Sequence, residues 1–150
     1  MPGRSHLTAT ALGGALLVTG CGLGAVDVDP HDAEPGSAPA CARLVDALPE
    51  VVADAVRRDV QPSSANVAAW GDPPVVLRCG VPLPAEYRPD AQLLDVEGVG
   101  WFPVAGQGGT FFTATDRVPH VEVAVPDDYA PEAVVLADLA AAVKSAIPPP

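Results

Sequence analysis

A chain of 150 residues that is 49% hydrophobic has room for one modest core, and 18 prolines with 14 glycines divide it into short elements joined by turns. Eight Lys and Arg against 19 Asp and Glu leave a net charge of -11. That balance excludes a nucleic-acid groove, because phosphate binding needs a concentrated positive field, and a solvated acidic surface accounts for the charge itself.

In chain order, Arg4 precedes an uncharged, mostly apolar stretch, residues 7–18 (LTATALGGALLV). As a helix it would reach roughly 18 Å across a hydrocarbon core of about 30 Å, so it reads as the h-region of a signal peptide over residues 1–20. Val18-Thr19-Gly20-Cys21 then resembles a bacterial lipobox: an aliphatic residue, two small residues and a cysteine for a diacylglycerol thioether. Lipidation of Cys21 places the protein outside the cytoplasm, anchored to the outer face of the cell membrane. It also accounts for an odd cysteine count, leaving Cys41 and Cys79 to pair in an oxidising compartment. A bridge across 37 intervening residues stabilises by roughly 4 kcal/mol in the chain-entropy view, with Cα atoms expected about 5–6 Å apart. Residues 21–40 are rich in Gly, Pro, Ala and acid and are expected to be a flexible tether. His31 lies there among Asp27, Asp29, Asp32 and Glu34, and a mobile segment pays ordering entropy for each metal ligand it supplies, so they read as solvated.

Residues 41–147 are expected to form one domain, followed by a proline tail at residues 148–150. Leu44, Val45 and Leu48 mark a short helix, and Val51, Val52, Ala55 and Val56 suit a second helical segment after Pro49. Arg57 and Arg58 read as a solvated pair. Trp70-Gly71-Asp72-Pro73-Pro74 is a chain stop, and Val75, Val76 and Leu77 form a buried strand ending at Cys79. Glu97-Gly98 joins two hairpin strands, residues 106–109 (GQGG) separate the second from TFFTAT, and Val121, Val123 and Val125 alternate with Glu122 and Ala124. Pro131 starts a final helix with Val135, Leu136, Leu139, Val143 and Ile147 on one arc. The fold class is therefore α+β: an antiparallel meander sheet of about five strands packed on N- and C-terminal helices, a two-layer sandwich.

No Gly-x-Ser-x-Gly elbow, His-Glu-x-x-His, Walker loop or Cys-x-x-Cys occurs. An enzyme reading therefore rests on His120 as a base beside Asp116, with Thr113 or Thr115 as nucleophile, which would make a small hydrolase or transferase. A binding reading rests on side chains that a sheet face presents to a ligand: Trp70, Asp72, Arg78, Trp101, Arg117 and His120. No metal or other cofactor is implied.

Cys41 with Leu44 and Leu48-Pro49, Arg57-Arg58, Ala69-Trp70-Gly71-Asp72-Pro73-Pro74, Leu77-Arg78-Cys79-Gly80-Val81, Gly98-Val99 with Trp101-Phe102, and Val121-Glu122-Val123 resemble small secreted actinobacterial lipoproteins grouped as a domain of unknown function. The resemblance covers nearly all of residues 41–147. It implies a cell-envelope lipoprotein and brings no assigned reaction or site residues. The expected function is a lipid-anchored, non-enzymatic binding or assembly module, with the membrane and an envelope protein or wall component as partners.

Overall fold

The structure, a computed structural model, describes Met1 and residues 22–150. The signal-peptide stretch and the lipidation site Cys21 lie outside those residues. Strands β1 (Val26–Asp27), β2 (Val51–Val52), β3 (Ala55–Arg58), β4 (Val60–Gln61), β5 (Val67–Trp70), β6 (Val75–Cys79), β7 (Leu94–Val96), β8 (Val99–Gly106), β9 (Gly109–Ala114) and β10 (Val121–Pro126) combine with helices α1 (Ala38–Ala47) and α2 (Ala133–Ala146).

Eight of the strands form one sheet in the order β2-β3-β5-β6-β10-β9-β8-β7, where about five were expected. Every pairing in it is antiparallel. The chain lays down β2, β3, β5 and β6 from one edge to the middle, crosses to the far edge, and returns through β7, β8, β9 and β10 to close against β6. Two meanders thus meet at the β6–β10 seam, and the crossing is made by residues 80–93, whose prolines prevented their forming a strand.

One face, here the front face, carries the core. Ala68, Trp70, Val75, Leu77, Trp101, Phe112, Val121, Val123 and Val125 point to it and pack under α2, which supplies Val135, Leu136, Leu139, Val143 and Ile147 as its arc predicted. Helix α1 packs on α2 and delivers Cys41 and Leu44. Cys41 and Cys79 form the expected disulfide, with Cα atoms 5.5 Å apart, so the first helix is tied to the central strand. At the C-terminal end of α1, Arg57 donates to the carbonyls of Val45 (3.1 Å) and Leu48 (3.3 Å) and lies 5.8 Å from the Trp70 ring centroid. Trp70 Nε1 donates to Pro49 O at 2.9 Å. Carbonyls that a helix leaves unpaired are thereby satisfied.

Three expectations are corrected. Residues 50–58 are not helical: β2 and β3 form a hairpin in which Ala53 (φ 46°) and Asp54 (φ 63°) make the turn. The spacing of Val51, Val52, Ala55 and Val56 fits either element, and the stiff β-branched side chains favour strand. Asp138 on α2 fastens the turn by accepting from Ala53 N at 2.8 Å. The supposed tether is folded from Val26 onward: β1 runs parallel to β4, Val26 and Val28 are buried with Val67 and Ala69, and α1 begins at Ala38. Val-Asp-Val-Asp alternates as an edge strand does, a period that the acidic composition masked. Arg58 grips this strap through Gly24 O (2.6 Å and 3.1 Å) and also binds Gly71 O (2.7 Å), so neither arginine of the pair is merely solvated. Further along, Glu34 N donates to Gly80 O at 2.9 Å. Gly80 has φ 80°, and a Cβ there would lie 2.8 Å from Ser37 Oγ, so the strap crosses where only glycine fits.

Candidate functional site

The register builds the site on the opposite, back face. Arg78 stands across from Glu122, Glu122 from Thr113, and Thr113 from Phe102, so one line of side chains crosses β6, β10, β9 and β8. The next line on the same face is Val76, Ala124, Phe111 and Val104. A polar line of cation, anion and hydroxyl thus lies beside an apolar one, at the middle of the sheet.

Two covers close over this face from opposite sides. The strap hides Val67 and Ala69 on β5 and ends near the polar line with His31, whose Nε2 lies 3.1 Å from Cys79 O and 3.1 Å from Asn66 Nδ2. The crossing segment approaches from the other side, where Tyr87 meets Phe102 edge to face with ring centroids 5.4 Å apart. Between the covers lies a cleft of about 430 Å³, walled by His31, Val81, Pro82, Leu83, Pro84 and Glu86 and floored by Arg78, Glu122, Thr113, Phe111 and Val104. That volume suits a small ligand, for which pockets of about 300–1,000 Å³ are usual.

The polar groups of this cleft are not saturated. Arg78 Nη1 is 3.9 Å from Glu122 Oε1, a loose pair with side chains 26% and 23% exposed. Arg78 Nε, Thr113 Oγ1 and His31 Nδ1 are buried without a hydrogen-bond partner, and Thr113 is only 1% exposed. Buried polar atoms are nearly always paired, and each that is not costs about 1–3 kcal/mol. Leu83 and Phe111, 41% and 38% exposed, put apolar surface at the rim.

The residues expected to face a ligand divide sharply. Arg78 does line the cleft. Trp70 and Trp101 do not: both are fully buried in the front core, because their register positions, across from Val75 and Ala114, put them on the face under the helices. Arg117, 2% exposed, is corrected as well. Its guanidinium donates to Ile147 O (2.9 Å), Gly98 O (3.1 Å) and both oxygens of Asp116, holding the end of α2 to the β7–β8 turn. His120 is 9% exposed and its carbonyl accepts from Gly80 N, which makes it part of the seam below the strap. Asp72 is exposed and lines a separate cavity.

The pairing of His120 with Asp116 is not formed. Asp116 Oδ1 accepts from Arg117 Nε at 2.9 Å, and Oδ2 accepts from Gly100 N and from Arg117 Nη2, each at 3.1 Å. Burial works against the Asp116 charge, yet the Arg117 hydrogen bond and charge with the Gly100 amide outweigh it and hold the carboxyl below its ordinary range. A carboxylate so engaged is a structural anion. Thr113, weighed as a nucleophile, sits in the cleft, while Thr115 Oγ1 is buried without a partner. Nothing in the sequence marks Glu122 or Leu83 as ligand-facing, whereas Phe111, one of the large aromatics on an alternating strand, does reach the cleft beside Arg78. Glu122 had the signal of an acid interrupting an alternating valine strand, which equally suits a solvated face.

A larger cavity, about 920 Å³, lies where the chain enters at Gly22 and Leu23, against Arg58, Asp72 and Tyr129. Two of its polar side chains are already engaged, Arg58 with Gly24 and Gly71, and Tyr129, whose hydroxyl donates to Pro73 O at 2.9 Å, and none of its lining residues carries a buried side-chain nitrogen or oxygen left unpaired. Burial and the charges of Asp128 and Asp72 raise the Tyr129 pKa against the pull of Arg58, keeping the phenol a neutral donor. The smaller cleft, with unpaired atoms in its floor, is the better candidate. Among the described residues no group of three or more His, Cys, Asp and Glu is gathered in a way that would hold a metal ion.

No curated protein and no solved structure matches the chain. A family model does match, over residues 6–150, a span that takes in both helices, the sheet and the back-face cleft. On that match the chain belongs to the protein family of unknown function DUF3515.

Proposed function

We propose that this protein is a lipid-anchored binding module of the cell envelope, exposed on the outer face of the membrane, that receives its partner in the back-face cleft. The observation carrying this reading is the pair of buried, unpartnered polar atoms, Arg78 Nε and Thr113 Oγ1, on side chains that floor a cleft of about 430 Å³ with an apolar rim. The front face of the same sheet is almost wholly apolar, and its unpartnered Trp101 Nε1 is enclosed in the core, whereas these two atoms sit on side chains that floor a cleft a ligand can enter. Anchoring is supported by the lipobox-like Val18-Thr19-Gly20-Cys21 and by the Cys41–Cys79 bridge, which leaves Cys21 with a separate fate. Because the strap is folded from Val26, only residues 22–25 would stand between the acylated cysteine and the domain. The domain would then ride at the membrane surface, far closer than a free tether allows.

A non-enzymatic role is supported by what the candidate catalytic side chains do, in the cleft and outside it. Thr113 has no hydrogen-bonded base, His31 Nε2 is directed to the Cys79 carbonyl, and Asp116 is bound to Arg117 and Gly100. An activated nucleophile needs a base within hydrogen-bond reach and a group that orients the base.

The test places a photoreactive amino acid at Leu83, on the cleft rim, or at Val134, exposed on α2, in otherwise native envelopes. Discrete adducts from Leu83 and none from Val134 are expected, with the mature N-terminal peptide carrying its lipid on Cys21. Equal adducts from both positions, or none from Leu83, would refute cleft binding. An unmodified N-terminus elsewhere would refute the anchor.

A further inference from the structure

The chemistry of the cleft floor narrows what it accepts. Across β6, β10 and β9 the line Arg78, Glu122, Thr113 offers a cation, an anion and a hydroxyl that both donates and accepts. Glu86 adds a second carboxylate at the wall. A carboxylate or phosphate ligand would meet two acidic side chains, and an ammonium would meet the Arg78 guanidinium. A pure acyl chain would leave Arg78 Nε and Thr113 Oγ1 unpaired in a dry site, the costliest state for a polar group. A neutral group that carries both a donor and an acceptor answers the whole line, and the amide is such a group: its carbonyl accepts from Arg78 or Thr113 while its N–H donates to Glu122.

Beside that line, Phe111 and Val104 on the floor and Val81 and Leu83 on the wall form an apolar strip. Cross-strand neighbours stand about 4.5–5.5 Å apart, and the two lines on this face are separated by two residues along each strand, about 7 Å. An extended peptide has the same two-residue period between side chains on one side. An amide set on the polar line therefore lets a neighbouring apolar side chain reach the strip.

On the reading that this cleft is the binding site, we infer that its ligand is a neutral, apolar segment of peptide, with a backbone amide bound by the Arg78–Glu122–Thr113 line and a side chain held between Phe111 and Leu83.

The test follows the amide resonances of the full-length chain in detergent micelles by NMR during titration with three probes. These are a capped tetrapeptide of alanine and valine, the same peptide N-methylated at its central amides, and decanoate. Saturable shifts at residues 78, 111, 113 and 122 with the capped peptide are expected, weakened about tenfold by N-methylation. Thr113→Val should weaken the same probe about five- to tenfold, the value of one hydrogen bond, and Arg78→Lys, which retains the charge and removes Nε, by a similar factor. Retained dispersion of the variants' spectra shows that they fold. Stronger binding of decanoate than of the capped peptide, or indifference to N-methylation and to both substitutions, would overturn the peptide assignment while leaving the cleft a binding site. Absence of shifts at these residues with every probe would overturn the peptide assignment too, and the adducts from position 83 report separately on whether the cleft binds at all.

Discussion

The two faces of one sheet differ in how completely they are finished. On the front, β5, β6, β8, β9 and β10 present an almost continuous apolar surface to α2, α1 is stapled beneath by Cys41–Cys79, and Arg57 and Arg117 satisfy helix-end carbonyls. On the back, the strap and the crossing segment each cover part of the surface and leave a cleft between them, with a loose ion pair and unpartnered polar atoms in its floor. Both faces belong to the same strands and alternate residue by residue, so the difference cannot come from backbone propensity. It lies in side-chain choice: Leu77 beside Arg78, Val121 and Val123 around Glu122, Phe112 beside Thr113. Stability is concentrated on one face, where the unpartnered Trp101 Nε1 is sealed inside the core, while on the other the unpartnered atoms belong to side chains that floor a cleft.

That division can be tested from the largest effect downward. Leu77→Ala, in the front core, should cost about 2–5 kcal/mol, whereas Phe111→Ala, on the open back face, should cost about 1 kcal/mol or less, as read by urea denaturation. Similar losses from both would mean the back face is also core. Arg117→Met comes next. It strands the Ile147 and Gly98 carbonyls and frees Asp116, and a loss of about 3 kcal/mol is expected, with amide exchange accelerated first at the end of α2. Removing the disulfide by Cys41→Ala with Cys79→Ala should lower stability by about 2–4 kcal/mol and loosen α1. A melting curve unchanged by that double substitution would remove the staple from the account of the front face.

The smallest effect is with acid. The Asp116 pKa is depressed below 3.8 in the folded chain, so its contribution to stability is complete above the unfolded value and is lost as pH falls through the folded one, in the range below about pH 4. Asp116→Asn should therefore flatten part of the acid limb of a stability profile and leave the neutral region lower but level. A profile whose acid limb is identical in the variant would show that another carboxylate governs it.

How much of this was legible in the sequence follows the range of the interactions. The Glu97-Gly98 hairpin, the alternation of Val121 to Val125 and the arc of α2 are local periods, and each appears where the residues put it. The disulfide followed from counting cysteines. The β2–β3 hairpin was misread because a four-residue apolar spacing suits both elements and no glycine marks the Ala53-Asp54 turn. The strap was hidden by its composition, although Val26 and Val28 alternate with aspartates. Of the cleft, the sequence offers Arg78 and Thr113, but for separate roles and not as neighbours. That Glu122 and Thr113 stand beside Arg78 depends on β10 closing against β6 after three intervening strands, and no local pattern encodes that register. Arg117 was misplaced for a similar reason, since its partners lie 19 and 30 residues away.

The central claim, that the back-face cleft is where this protein meets its partner, is tested most directly by filling it. Val104→Trp adds bulk to the cleft floor without touching the helix-covered core. With the photoreactive residue at position 83, this variant should keep its membrane retention and melting temperature within a few degrees and lose the adducts that the unfilled cleft gives. Undiminished adducts from the filled cleft, in a variant that remains folded and anchored, would contradict the account.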